Sequence, residues 1–384
     1  MIKIYIGADS IVSPIGLDAE ANFAAIISGK SALRVCMPSF SSSPVCAALM
    51  DEADLDSAFS AFGDPHRYTR LEKMSLISIS QVVKQSGVRL SDKRTLLLYS
   101  TTKGNIDLLN EGASEHIPEN RVYLPVFGAL LGNYFKCANT PVIVSNACIS
   151  GLLAMIIASR LIRAGKYDHV VVAGGDIVSE FTLSGFRSFN AMSDEACRPY
   201  DLSRKGINLG EAAGAVLMTN DKAAAEKTLI SFAGGATAND ANHISGPSRN
   251  GDGLYQAIQD TFMHSDIKQV DYISAHGTAT SFNDEMESIA FSRAGLSALP
   301  LHSLKGFFGH TLGAAGLIES IIELHALRNG KLIQSPGFKE NGVSHKLNII
   351  TETKDAQLKS CLKTVSGFGG SNAAGIFVKE EQAS

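Results

Sequence analysis

The stretch "GLLAMIIASRLIRAGK", Gly151–Lys166, has an echo in "GLIESIIELHALRNGK", Gly316–Lys331. Gly, Leu, Ile-Ile, Arg, Gly and Lys stand in the same columns. A second echo follows. "EAAGAVLM" (Glu211–Met218) resembles "NAAGIFVK" (Asn372–Lys379), and the two offsets are 165 and 161 residues. Either match alone is what two apolar segments give by chance. Two matches in one order, at nearly one offset, indicate a duplicated unit. The halves are expected at 1–220 and 228–384, divided near the polar stretch "NDKAAAEKT".

Around the echo, β-branched runs alternate with helical runs. "PVIVS" (Pro141–Ser145), "HVVVAGG" (His169–Gly175), "YISAHG" (Tyr272–Gly277) and "KTVSGFGG" (Lys363–Gly370) read as buried strands ending in small or polar residues. Leu152–Ala164 and Leu317–Arg328 read as helices. That alternation gives an α/β class with largely buried sheets.

Composition excludes several roles. The 384 residues are 45% hydrophobic and 19% charged, an ordinary globular balance. A net charge of -4 gives no reason to expect a nucleic-acid partner. "MIKIYIGADS" lacks the apolar run of a signal peptide, and no segment reaches bilayer-spanning length. None of the six cysteines forms a C-x-x-C pair, so neither a zinc site nor any other metal site is expected. A reducing, cytoplasmic setting is the expectation.

Cys148, in "VSNACISG", stands between a polar turn and the first echo helix. One reading is a buried, inert thiol, since free Cys is among the most buried residue types. The other is a nucleophile. The N-terminus of a buried helix points unsatisfied N–H groups and positive potential at the preceding turn, which favours thiolate. The second half has its own turn before Gly316, in "KGFFGHTLGAAG", and that turn carries Lys305 and His310. If the halves pack about a pseudo-twofold axis, the two turns face each other. "SAHGTAT" adds His276, and "VSGFGGSNAAG" offers a turn whose backbone N–H groups suit an anion. Taken singly, these are equally a satisfied core His and a plain tight turn.

Together, "SNACISG", "AHGTAT", "KGFFGHTLGAAG" and "GFGGSNAAG" resemble the elongating β-ketoacyl-[acyl-carrier-protein] synthases of the thiolase superfamily. The resemblance runs from "IYIGADSIVSPIG" to "GFGGSNAAGIFV" and takes in "TTKGNID" and "CRPYDLSRKGINLGEAAG". It implies a thiolase fold, two duplicated halves stacked as α-β-α-β-α layers, and a dimer. It implies a decarboxylative Claisen condensation of a malonyl-carrier protein with an acyl chain on Cys148. The N–H groups of Cys148 and Phe368 would form the oxyanion hole. His276 and His310, donating from Nε2 as neutral imidazoles, would hold the malonyl thioester oxygen. Lys305 would support the site electrostatically, with Glu319 as partner. Thr278 and Thr280 would hold the pantetheine arm, and Phe368 would gate the acyl chain. No cofactor is implied beyond the arm that arrives on the carrier protein.

Acyl carrier proteins are acidic, so a basic entrance is expected. Arg67, Arg70 and Lys73, with Arg204 and Lys205, are the candidates, against a plain solvated face. Some positions depart from the family pattern. Ile149 follows the nucleophile where a small residue is usual, and Asn146 stands two before it. Ser245 and Gly246 replace a more hydroxyl-rich stretch. These departures point to specialised polyketide or polyene chains as an alternative to housekeeping fatty acid synthesis. Among other readings, a thiolase would need a late Cys-x-Gly turn, where "GFGG" stands. A priming synthase would carry Asn for one His. A chain-length-factor-like partner of a ketosynthase heterodimer would usually lack Cys148. A thiol hydrolase would leave both histidines and "GFGG" unexplained.

Overall fold

The computed structural model describes residues 2–110, 116–225, 229–243 and 246–381. Among the described residues the main sheet has eleven strands: ten form two sets of five, and Asn348–Ile349 adds a two-residue edge beside Pro300–Leu301 that has no counterpart in the first set. In the first half the five are β1 (Tyr5–Val12), β2 (Thr95–Ser100), β3 (Val142–Val144), β4 (His169–Asp176) and β5 (Ala212–Thr219). In the second they are β6 (Ile230–Asn239), β7 (Tyr272–Ser274), β8 (Pro300–His302), β9 (Ser360–Gly367) and β10 (Ser371–Lys379). From the middle outward the first half runs β1-β5-β4-β2-β3 and the second runs β6-β10-β9-β7-β8. Both orders are first, fifth, fourth, second, third. The senses also repeat: the first two neighbour pairs in each set are antiparallel and the last two parallel. A short pairing of Tyr5 with Ser231 and Ile6 with Ile230 joins the sets.

Strands β2, β4 and β5 are almost wholly apolar and buried, as sheets covered on both faces require. Helix α1 (Arg70–Ser86) covers the outer face of the first set, and α4 (Asp252–His264) covers that of the second. Between the sets lie α2 (Ser150–Arg163) and α6 (Ala315–Asn329), in contact with strands of both. Five layers, α-β-α-β-α, result. Two shorter helices matter below, α3 (Glu180–Ser188) and α5 (Ser281–Arg293).

The echo glycines are the contact between the central helices. A Cβ on Gly151 would lie 2.6 Å from the Leu317 amide nitrogen, and one on Gly316 would lie 2.7 Å from that of Leu152. Each helix therefore meets the backbone of the other at the matched position, and only hydrogen fits. The turns before them match too. Ala147 and Leu312, each four residues before its echo glycine, have φ of 43° and 51°. Left-handed backbone at a non-glycine residue costs roughly 1–3 kcal/mol and persists only where packing enforces it.

Helix α6 is buried from Ala315 to Leu327, yet it carries Glu319, Ser320, Glu323 and His325. Each has a partner. Ser320 bonds back to Gly316 O, Glu323 meets Tyr272 and His302, and His325 meets Asp9. Glu319 belongs to the site. Among the described residues no helix is long and apolar enough to cross a membrane.

Candidate active site

After β3 the chain turns through Ser145–Ile149 into α2. The Ser150 hydroxyl accepts from Asn146 N–H at 2.7 Å and donates to Ala147 O at 2.7 Å, which fixes the turn. Asn146, odd in the sequence, is structural here. Its Oδ1 accepts from the Ser371 hydroxyl at 2.9 Å. That bond ties the nucleophile turn to the Gly-rich turn after β9. Ile149 is buried in the core beneath. Gly246 lines the cavity, and Ser245 lies outside the described residues.

Cys148 is buried, with His310 Nε2 2.9 Å from its Sγ. The His310 backbone is held on both sides: its N–H donates to Asn208 O at 2.7 Å and its carbonyl accepts from Gly210 N–H at 3.0 Å. The His276 ring stands edge-on to His310, centroids 5.1 Å apart. The reactive atoms of Cys148, His276 and His310 all lie within 4.8 Å of one another. By donor type the three would suit a metal cation. The Lys305 and Lys363 ammonium groups directly behind them make the spot unfavourable for one.

Lys305 Nζ lies 3.4 Å from His276 Nδ1 and makes an ion pair with Glu319. An ammonium facing Nδ1 leaves the His276 proton on Nε2, so the ring donates from the face opposite Lys305. Burial first, then Lys305, His310 and Lys363, pushes His276 well below the usual imidazole range. Burial, Lys305 and Lys363 do the same to His310. Both rings are therefore neutral near pH 7. Burial raises Glu319, but Lys305 and Lys363 outweigh it and hold the carboxyl below its ordinary range.

Cys148 corrects one expectation. Burial pushes its thiol up to about 11, against the pull of Lys305 and of the Phe368 N–H. Removal from water thus works against the helix terminus and favours the thiol over the thiolate.

Two residues missed in the sequence shape the site. Lys363, on β9 and fully buried, lies 2.6 Å from Glu319 Oε2 and donates to Ser274 O and Ala275 O at 3.2 and 3.3 Å. It therefore grips the segment that delivers His276. Glu287, on α5, accepts from His276 N–H at 2.9 Å and Gly277 N–H at 2.7 Å, and from Tyr200 OH at 2.8 Å. Gly277 has φ of 43°, which explains why β7 stops at Ser274. Buried acids three apart in "NDEMES" were the only available signal for Glu287.

A cavity of about 230 Å³ opens onto Cys148, His276 and His310. Thr278 and Thr280 line it, their hydroxyls 2.8 Å apart. Phe368 stands at 39% exposure, its ring 5.5 Å from Phe186 and 5.4 Å from Phe189.

The expected basic entrance divides. Arg70 bonds Glu52 from Nε at 3.0 Å, and its Nη1 donates to Glu211 at 2.7 Å and to Met50 O. Lys73 is buried against Glu52 and Asp56. Arg204 is turned inward onto Asp201 O and Gly342 O at 3.0 and 2.6 Å. All three are engaged by the chain's own carboxylates and carbonyls, Lys73 in the interior and Arg70 and Arg204 partly exposed. Lys205 is exposed and pairs with Glu195 at 2.6 Å, and Arg67 is exposed.

Comparison with known proteins gives this geometry a context. Residues 1–224 match the family model for the N-terminal domain of beta-ketoacyl synthase, and residues 229–339 match that for its C-terminal domain. A putative mitochondrial 3-oxoacyl-[acyl-carrier-protein] synthase of Schizosaccharomyces pombe is 31% identical over 61% of this chain and 60% of its own length. A 3-oxoacyl-[acyl-carrier-protein] synthase 2 of Rhizobium meliloti is 33% identical over 60% of this chain and 59% of its own. The matches thus span less than two thirds of these two relatives. A putative polyketide beta-ketoacyl synthase of Streptomyces halstedii is 26% identical with 99% of each chain covered. Among solved structures, a ketosynthase in complex with its chain length factor from Xenorhabdus doucetiae superposes with TM-score 0.85 at 23% identity over 98% of each chain. The ishigamide ketosynthase/chain length factor gives 0.87 at 22% over 99% of each. At such identities they establish the thiolase fold. With its two halves matched to the two halves of one family, the chain belongs to the β-ketoacyl synthases of the thiolase superfamily.

Proposed function

We propose that the chain is a condensing β-ketoacyl-[acyl-carrier-protein] synthase. The observation that carries this reading is the meeting of Cys148 Sγ with two neutral imidazoles, within 4.8 Å, in front of the Lys305–Glu319–Lys363 cluster. An acyl thioester on a carrier protein is attacked by Cys148 Sγ. The carrier sulfur leaves and the acyl chain becomes a Cys148 thioester. The thiol proton ends on the departing sulfur, relayed by His310 Nε2. His310 Nδ1 makes no hydrogen bond among the described residues, so the ring is free to carry its proton on either nitrogen. A malonyl thioester follows. Its carboxylate leaves as carbon dioxide and the bond's electron pair becomes an enolate, whose oxygen the two Nε2–H groups hold. The enolate carbon attacks the Cys148 thioester and the cysteine sulfur departs. Fixed donors aimed at a developing oxyanion are the largest single contribution in such sites.

The partner is an acidic acyl carrier protein, met by Arg67 and Lys205, with Thr278 and Thr280 along its arm. The active unit is a dimer, of two copies or with a chain-length-factor-like subunit. Retention of Cys148 argues against this chain being the inactive subunit. The halves divide at 1–220 and 228–384, which the repeated strand order and the break between the matched family models support. The setting is cytoplasmic. The loaded chain is a specialised polyketide or polyene chain. The aromatic lining of Phe186, Phe189 and Phe368 supports that, and loading competitions with saturated and polyunsaturated carriers test it.

The deciding experiment incubates the protein with malonyl- and acyl-carrier protein. Carbon dioxide and a ketoacyl product, seen by mass, are expected. Acylation of Cys148 with neither product overturns the reading.

A further inference from the structure

The repeat allows each position near Cys148 to be compared with its twin. Cys148 stands three residues before Gly151, and Gly313 stands three before Gly316. The strands that end beside these turns are also matched, since β4 and β9 are each fourth in sequence within the two matched sets of five and third in spatial order from the middle. Strand β9 ends at Gly367, where a Cβ would lie 3.0 Å from the Cys148 amide nitrogen. Strand β4 ends at Asp176, whose Oδ2 accepts from the Gly313 N–H at 2.7 Å. In one half the matched amide faces a glycine. In the other it is covered by the chain's own carboxylate.

That carboxylate is 1% exposed and gathers donors from two segments. Thr101 Oγ1 donates at 2.6 Å and Thr102 Oγ1 at 2.9 Å. The Thr102 and Lys103 amides add bonds at 2.9 and 3.3 Å. Asp176 thus ties the loop after β2 to the turn that opens α6. His310 is three residues upstream of Gly313 in that turn. Between them, Leu312 holds a φ of 51° that an untied turn would not keep. No other side chain bonds the Thr311–Ala314 backbone among the described residues.

We propose that Asp176 is a positioning residue for His310: its carboxylate fills the second half's counterpart of the oxyanion hole and thereby sets the imidazole against Cys148. The Gly313 amide supports the role assigned to its twin, because it binds an oxyanion in place. Asp176 does not line the cavity, and its charge also opposes ionisation of Cys148, so the position of the His310 ring, rather than the rate alone, reads its role in the turn. The consequence for condensation rests on the proposed function, while the geometric consequence does not.

The test is Asp176→Asn, which keeps the size but turns an amide NH₂ toward donors. A crystal structure of the variant should show the 2.9 Å contact of His310 with Cys148 lost and the Ser145–Ser150 turn unchanged. In condensation assays kcat should fall about 100-fold, the usual cost of a 1 Å misplacement, with KM for malonyl-carrier protein unchanged. Added to His310→Ala, Asp176→Asn should cost nothing further. An unmoved imidazole, or a loss that multiplies through His310→Ala, overturns the proposal. If the wild-type protein forms no product, the proposed function fails and the crystal structure still decides this one. Thr102→Val removes one donor only. It should give the same pattern at smaller size should Asp176→Asn not fold, and wild-type kinetics with wild-type geometry in it would overturn the proposal equally.

Discussion

The turns that open the two central helices follow one path and serve opposite ends. Both enter through a left-handed residue, Ala147 or Leu312, and both lead to a glycine pressed on the other helix. At the position between, the first turn carries a thiol and the second carries nothing but hydrogen. Beside the first lies Gly367, and beside the second lies Asp176. Duplication supplied two equal frames. A few substitutions at matched positions left one turn open to a reacting carbonyl and closed the other onto a carboxylate. The asymmetry of the chemistry is therefore local, while the symmetry of the scaffold is global.

The largest expected effects come from treating the two twins alike. Cys148→Ala should leave no condensation product by mass, because the acyl carrier atom is gone. Gly313→Ala keeps the Cys148 sulfur, so acyl-Cys148 should still form, but more slowly, because the displaced turn carries the His310 ring that relays the thiol proton. The substitution should cost about 1–3 kcal/mol of unfolding free energy in urea, since its Cβ would lie 2.8 Å from Asp176 Oδ2. Equal losses of acylation in both variants would break the division of labour between the turns. Next in size is Gly367→Ala, which makes the open turn resemble the closed one. A methyl 3.0 Å from the Cys148 amide should reduce acyl loading about 100-fold, as loss of an oxyanion donor does. Unchanged loading in burst measurements would remove that amide from the mechanism.

The scaffold itself can be tested more gently. Gly151→Ala and Gly316→Ala place a methyl at 2.6 and 2.7 Å from matched backbone nitrogens. Each should destabilise by about 1–3 kcal/mol, and by nearly the same amount. The double variant should cost less than the sum, because both methyls push on one contact. Losses that differ by more than about 1 kcal/mol in urea titrations would show that one half carries the interface.

What could be read in the sequence follows from where its signals lie. The repeat was legible because the glycines are forced by a backbone-on-backbone contact, which leaves no freedom in those columns. The meeting of Cys148, His276 and His310 was legible because each sits in a short motif at a strand or helix end. The boundaries of β7 and β9 were less so, since the runs "YISAHG" and "KTVSGFGG" hide where the chain turns. Arg70 and Lys73 misled for a different reason. Glu52, Asp56 and Glu211 neutralise them, and nothing local announces a partner 141 residues away in sequence, as Glu211 is from Arg70. Asp176 and Lys363 were silent for the same cause: a lone buried charge looks like a surface one until its partners fold around it. The reactivity of Cys148 was overread, because a helix terminus was weighed without the cost of removing the thiol from water.

The smallest effect concerns the cations behind the histidines. Most of the groups facing His276 and His310 come from the second half: Lys305 before α6, Glu319 on α6 and Lys363 on β9. Cys148 and the Phe186 ring come from the first. Lys305 and Lys363 share the Glu319 carboxylate, while the Glu287 carboxyl is taken up by the His276 and Gly277 N–H groups and Tyr200, which leaves an excess positive charge beside the rings. Burial is the first cause of their lowered pKa values, and Lys363 is among the others. Lys363→Met keeps the Lys305–Glu319 pair and removes the excess. The histidine pKa values should then climb back toward the ordinary imidazole value. Protonated rings keep Nε2–H but take on a full positive charge, which opposes relay of the Cys148 proton. Activity should therefore be lost at a higher pH on the acid side, with the alkaline side unmoved. An acid limb of kcat that stays where the wild type has it would mean that burial alone keeps the rings neutral. Lys363 would then serve only to hold Ser274 and Ala275 in place.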